Sequence, residues 1–478
     1  MNSVTRTAFL AKDEVQRAVS RLRDELAKVV PVGTFAEREA AMLVICGEAG
    51  RSFIEQELQS LADGVAEHVV INGTEYRRHQ AGTAAYWSLV GPAQVQRSTY
   101  RQVGVRNGAT VVPLELLAGI MEGATPTLSY DVAQGYAEHD MRTHGRQLES
   151  AYRVPPPRAT LERLAKRLAA SAQTAVPKLE PVLRQVEVLP EGAHGLVLGL
   201  DRTSVPMAEP RAVSSACKGA EKRRKPRIRK PPAPIEVNYR MAYVGTVSVV
   251  DEHGAALVTR RYATAACDDP DVLARRMTAD VRAALRRNAK LSVGLVQDGA
   301  PEMWSTMRVG LNQLKRERVL PGWVEGIDRY HLLERLAAAL EVAECDGTER
   351  KRLLDGWKDQ FDVQDSTIDT IDRYLTARYR ELPVDRQRLL WEHMVYIANN
   401  KDRMRYVSLA IAGLPCGSGV TESAAKTVVN RRAKNSGQRW SVNGLRNVLT
   451  LRATLQSDRL PGFWSYFSRR YTAAVEAA

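Results

Sequence analysis

Apolar residues recur at three- and four-residue spacing near the start of the chain, Val15, Val19, Leu22 and Leu26 being the clearest set. This period predicts helices over residues 1–67. The period then falls to two. Residues 68–110 contain short alternating runs rich in Val, Tyr and Thr, separated by Asn72-Gly73 and Gly91-Pro92, and read as a small β-unit. A helical pattern returns over 111–185, interrupted by Val154-Pro-Pro-Pro157. The prolines set a turn into a new helix, either as a helix-turn-helix or as a plain bundle corner.

From residue 186 the pattern changes again. Leu196–Leu200 is a continuous apolar run ending at Asp201, as suits a strand buried on both faces. Met241–Val250 and Ala255–Tyr262 flank Asp251-Glu-His-Gly254, a hairpin signature. Asp269–Arg287 reads as a helix with acid at its start and Arg286 and Arg287 at its end. Leu291–Val296 is a second apolar strand before Asp298, and Trp323–Ile327 a third before Asp328. Residues 332–415 are helical, and a last helix begins near Val420. The expected fold is therefore α/β, with the strand order of a ribonuclease H-like core. Its first part covers 186–331, an all-α insertion 332–415, its second part 416–456, and a C-terminal tail 457–478. In that topology the first and fourth strands are parallel neighbours, which brings Asp201 and Asp298 close together.

Composition narrows the function. Of 478 residues, 69 are Lys or Arg and 55 are Asp or Glu, a net charge of +14, which favours a polyanionic partner such as nucleic acid. No run approaches the length of a membrane span. The five cysteines are scattered, against both a disulfide framework and a paired-cysteine zinc site. The expectation is a reduced, intracellular protein without membrane or zinc. Phosphate-loop, zinc-protease and hydrolase-elbow motifs are not found.

Three acids carry the candidate chemistry: Asp201, Asp298 and Glu422, the last in the first turn of its helix. Converging carboxylates make a site for Mg²⁺ or Mn²⁺. A pair of such ions ~3.5–4 Å apart clamps the attacking and leaving oxygens of a phosphoryl displacement. Taken singly, an Asp after a strand is more often a turn residue or cap, and a Glu in a first turn commonly complements the helix dipole.

Longer motifs accompany these acids. They are Val296-Gln-Asp298-Gly-Ala-Pro-Glu-Met-Trp304, Ile327-Asp328-Arg-Tyr-His331-Leu332, Pro415-Cys-Gly-Ser-Gly-Val-Thr-Glu422-Ser-Ala-Ala-Lys426, and Arg431-Arg-Ala-Lys434-Asn-Ser-Gly437-Gln-Arg439-Trp440. Together with Leu451-Arg452-Ala453 they resemble bacterial insertion-sequence transposases of the ISKra group, most densely over 290–465. That resemblance implies a DDE transposase with a ribonuclease H-like core, in which Asp201, Asp298 and Glu422 hold two Mg²⁺ or Mn²⁺ ions. It also implies cytoplasmic action on double-stranded DNA, at the element's ends and at the target, by a homo-oligomer. Asp328 and His331 resemble a signature that lies between the second and third acids of several transposase groups, either near the scissile phosphate or as the buried opening of a helix. Two departures stand out. The family usually has Asp-Gly at the first acid where this chain has Asp201-Arg202, and many members carry paired cysteines where residues 75–102 have none.

Cations cluster in two places. Lys426, Arg431, Arg432, Lys434 and Arg439 follow Glu422 and are read as phosphate contacts, with Trp440 as a stacking residue or a core edge. The second cluster runs from Lys218 to Lys230 and includes Arg223, Arg224 and Lys225; it is read as a phosphate-binding loop or a solvated insertion. Recognition of DNA ends is expected within residues 1–185, with the helix near Thr160–Lys166 as candidate reader. Two other functions fit the same pattern: a ribonuclease H-like nuclease that cuts without joining, and a catalytically dead DNA-binding remnant or regulator.

Overall fold

The computed structural model describes residues 32–211, 234–266, 268–435 and 437–478, preceded by positions 17, 20, 21, 23–25, 27 and 28. The basic cluster with Arg223, Arg224 and Lys225 lies outside the described residues. The chain is α/β and divides into two units, Met1–Leu183 with Asp458–Ala478, and Arg184–Ser457.

In the first unit, helix Phe35–Asp63 opens on a capping box between Thr34 and Glu37, which satisfies two backbone donors reciprocally. Strands β1 (His68–Ile71), β2 (Thr74–Ser88), β3 (Gly91–Gln102) and β4 (Thr110–Val111) form an antiparallel meander. Its cores are apolar: Leu58, Tyr86, Ala93, Val95 and Leu114 in one, Val65, Val69, Ile71 and Tyr100 in the other. Residues 457–478 are not the expected tail. They form helix Leu460–Ser468 and a strand, Val475–Ala477, that pairs antiparallel with β1 at the sheet edge. Helices Met141–Ser150 and Arg158–Val186 are joined by residues 151–157. That connection is longer than the three or four residues of a helix-turn-helix and favours the bundle corner.

The second unit is built on strands β5 (Gly195–Pro210), β6 (Ile235–Val250), β7 (Ala256–Ala263), β8 (Ser292–Gln297) and β9 (Val324–Ile327). Their spatial order is β7-β6-β5-β8-β9. The first three are mutually antiparallel, and β8 runs parallel to both β5 and β9. One expectation fails here: β5 does not end at Asp201 but continues to Pro210. Its pairing with β8 covers only Gly195–Leu198, so Asp201 lies just beyond the parallel ladder, where β5 is paired on the β6 side, and from Arg202 on the β5–β6 pair extends past β7. Pro206 is tolerated within that extension. Its carbonyl accepts from Trp440 N on the outer side of β5, so its hydrogen-less nitrogen faces the same edge and breaks no β5–β6 bond.

The helices between Arg329 and Ile411 share the sheet's core. Leu336, Leu340, Trp357, Phe361, Ile371, Leu390 and Ile397 pack in one cluster with Leu295, Val296 and Ile327.

Helix Gly419–Ala424, continued by a π-helical turn at Ala425–Asn430 and by Arg431–Ala433, lies on β5 and β6. Ala424, Ala425, Val428 and Val429 fill a cluster with Val205, Met207, Ala242 and Val244. The approach is close because residue 199 lacks a side chain: a Cβ there would lie 2.1 Å from Thr421 Oγ1 and 2.9 Å from Val296 O. Thr421 Oγ1 also shares a 2.7 Å hydrogen bond with Thr246 Oγ1, both hydroxyls buried. Gly199→Ala therefore overpacks this seam. It should cost about 1–3 kcal/mol, read as a lowered urea midpoint with an unchanged slope.

Candidate active site

Each acid is presented by a different local device. Asp201 follows the apolar half of β5, and its Oδ1 accepts from Arg202 N at 2.7 Å. Asp298 lies just past the end of β8. Its side chain caps the Gly299 amide, and its carbonyl accepts from Trp304 Nε1 at 2.8 Å, which fixes the turn into helix Pro301–Arg316. Glu422 enters in the first turn of the helix held by Thr421.

Electrostatics shows these groups converging. Burial pushes the Asp201 carboxyl above its ordinary range, and the charges of Asp298 and Glu422 push the same way. The Arg202 amide and the charge of His331 oppose them. Groups just past β8, on helix Arg329–Val342 and on the Glu422 helix thus all act on the Asp201 carboxyl. Beside it stands Tyr396, whose hydroxyl is pushed up to about 12 by burial and by the charge of Asp298. A Cβ at residue 299 would meet the Tyr396 ring at 2.5 Å.

Asp328 has a different part. It is 2% exposed and caps helix Arg329–Val342, accepting from His331 N at 3.0 Å. It also accepts from the Ser418 amide and from Ser418 Oγ at 2.7 Å, which ties the Gly417–Gly419 loop to that helix. Burial alone would raise its pKa; the hydrogen bonds from Ser418 and His331 prevail and hold it below the carboxylate norm. His331 stands between two acids, Nδ1 3.6 Å from Asp328 and Nε2 3.6 Å from Glu422. Among the described residues, Asp328, His331 and Glu422 form the only triplet of metal-binding side chains whose donor atoms all lie within 4.8 Å. The expected triplet of Asp201, Asp298 and Glu422 is more open, although its charges interact.

The expected cations divide. Lys426 is exposed and sits 3.5 Å from Glu422 Oε2. Arg431 and Arg439 are exposed, and Lys434 donates to Thr203 Oγ1 at 2.6 Å, beside the Asp201 strand. Arg432 is a correction. It is 3% exposed and stacks on Trp440, so it faces the core rather than phosphate. Trp440 is likewise structural: its Nε1 donates to Ala433 O at 3.1 Å, and its backbone bridges to Met207. On helix Arg158–Val186, Leu161, Leu164 and Ala165 are buried while Arg163 and Lys166 face outward.

Four supporting residues were not anticipated: Gly199, Thr246, Ser418 and Tyr396. Of these, Ser418 lies within the Pro415–Lys426 motif. The others sit in strand or helix patterns that look like ordinary packing. No family model and no curated protein matches the chain. No described helix is long and apolar enough to cross a membrane.

Two stability experiments follow, both in the presence of a chelator. The fold raises the pKa of Asp201, so the folded chain holds this proton more tightly than the unfolded one. The resulting advantage exists at low pH and is lost as pH rises through the raised value. Asp201→Asn should accordingly raise the melting temperature at pH 7 and change it little at pH 3. Asp328 has the opposite sign: its contribution is present above the ordinary carboxylate pKa and lost as pH falls through the depressed one. Asp328→Ala leaves the Ser418 amide and hydroxyl unpaired and should cost about 1–3 kcal/mol at pH 7 by urea unfolding.

Proposed function

We propose that this protein is a DDE transposase with a ribonuclease H-like core, acting on DNA through divalent cations. What supports this reading is a β7-β6-β5-β8-β9 sheet in which Asp201 lies on β5, Asp298 just past β8, and the charges of Asp298 and Glu422 both act on the Asp201 carboxyl. Three antiparallel strands followed by two parallel ones, with a helix between β7 and β8 and another between β8 and β9, is the order of ribonuclease H-like folds.

The donor set fits Mg²⁺ or Mn²⁺. Carboxylate oxygens are hard ligands, and mutual repulsion among them, visible at Asp201, is relieved by a cation. Asp201, Asp298 and Glu422 would hold it. When bound, such ions supply charge that stabilises the oxygens of an in-line displacement at phosphorus. The chain itself supplies position. The Thr421 seam fixes Glu422 against the sheet, and the Asp328–Ser418 clasp fixes the loop before it. His331 Nε2, 3.6 Å from Glu422, is a group that can accept or return a proton at the edge of the acid cluster. Lys426, Arg431, Lys434 and Arg439 are placed to hold backbone phosphates and set the strand's register.

Two displacements use the same apparatus. In the first, a water oxygen bonds to phosphorus as the bridging P–O3′ bond breaks, releasing a 3′-hydroxyl. In the second, that hydroxyl bonds to a target phosphorus as the target's own P–O3′ bond breaks.

The test uses DNA carrying the sequences that flank the gene. Asp298→Ala and Glu422→Ala should abolish Mg²⁺-dependent cutting and joining while leaving binding within about twofold. Cutting at the wild-type rate by either variant ends the assignment, and cutting without joined products favours a plain nuclease. A second expectation concerns salt. Affinity should fall linearly in log–log form with a slope of about −0.9 per phosphate contact, and Lys426→Ala or Arg431→Ala should each flatten it by about one unit.

A further inference from the structure

A second hollow opens beside Asp298, separate in its lining from the one that borders His331 and Glu422. Its volume is about 760 Å³. That lies within the range of small-ligand sites and suits a single nucleotide unit. Four arginines line it, reaching in from four segments: Arg202 on β5, Arg308 on the helix after Asp298, Arg335 on helix Arg329–Val342, and Arg403. Three carboxylates line it too, those of Asp298, Glu302 and Glu392.

The arginines are not equivalent. Arg202 is paired with Glu302. Arg308 and Arg403 share one acid, Glu325, and both lie over the buried Trp304 ring, at 5.7 and 4.5 Å from its centroid. Those two are wall, held by their own partners. Arg335 is different. It is exposed and lies over the Tyr396 ring at 4.9 Å, and no carboxylate or hydrogen-bond acceptor among the described residues pairs with it. A guanidinium over an aromatic ring and without an acceptor of its own retains N–H donors to offer, and its forked edge grips phosphate in two-point fashion. Tyr396 also borders the hollow and presents a neutral hydroxyl donor beside Asp298.

We propose that this hollow is a subsite for one phosphodiester of the DNA strand, next to the phosphate being cut, with Arg335 as its binding cation. The proposal rests on the transposase reading for the identity of the strand, but not for the presence of a phosphate site. A chain-borne phosphate so held would fix how far the strand enters, and therefore which bond meets the three acids.

Two measurements test it. The first needs no cutting: binding of thymidine 3′,5′-bisphosphate to the full-length protein, by calorimetry in Ca²⁺. Arg335→Gln should weaken this about tenfold, and Arg335→Lys, which keeps the charge but not the fork, by less. Equal binding by wild type and Arg335→Gln, or no binding by wild type, overturns the proposal even if the enzyme cuts DNA. Because Arg335 is exposed, an unchanged melting temperature verifies that the variants are folded. The second measurement places the site on the strand. Substrates each carry one uncharged methylphosphonate at successive positions around the cut. In wild type, one neighbouring position should lower kcat/KM about tenfold, and Arg335→Gln should erase that position's penalty while keeping the others. A penalty profile identical in both proteins overturns the proposal. Absence of any cutting, with bisphosphate binding intact and sensitive to Arg335, leaves the phosphate site standing and removes the transposase reading instead.

Discussion

The seam between Gly199 and Thr421 governs where Glu422 sits against the sheet. A helix can rest on a strand this closely only where one partner has no side chain, and the Thr246 hydroxyl then gives Thr421 a single preferred seat. Because Glu422 is the next residue, its carboxylate inherits that position. The position of Glu422 is thus a packing result before it is an electrostatic one. The apolar contacts of Ala424, Ala425, Val428 and Val429 supply packing free energy that offsets the repulsion among the neighbouring acids.

Much of the second unit was legible because its strands are unusually uniform. A strand covered on both faces reads as an apolar run, and Leu196–Leu200 does so without a break and Leu291–Val296 with only Ser292 polar. The half of β5 beyond Asp201 was not legible for a related reason. It contains Pro206 and Pro210 and is paired mainly on one side, so it carries neither the apolar run nor the proline-free character expected of a central strand. The strand Val475–Ala477 is three residues long, too short to show any period at all; it exists because β1 offers it an open edge.

The basic motif after Glu422 shows how far residue type alone can mislead. Its cations were read as one phosphate-facing group. Arg432 follows the inward-facing Val428 by four residues, so the same spacing that turned Val428 to the core also turned Arg432 inward, onto Trp440. The helical period held the answer, and charge obscured it. Asp328 is a similar case. Its oxygens accept from Ser418 and from the start of its own helix, while one of them also lies in the close group with His331 and Glu422. Its effect on the site is exerted through the loop it fastens.

The edge strand Val475–Ala477 also orders events in time. The chain leaves the first unit near residue 183 and returns to it only at 458, so the second unit is nested within the first. During synthesis the nested unit has all of its residues before the enclosing one does. The β1 edge of the meander stays uncovered on one side until the strand Val475–Ala477 has been synthesised. A transcript broken between the codons for Ser457 and Val475 would thus yield a chain that holds the whole second unit but lacks the strand that pairs with β1.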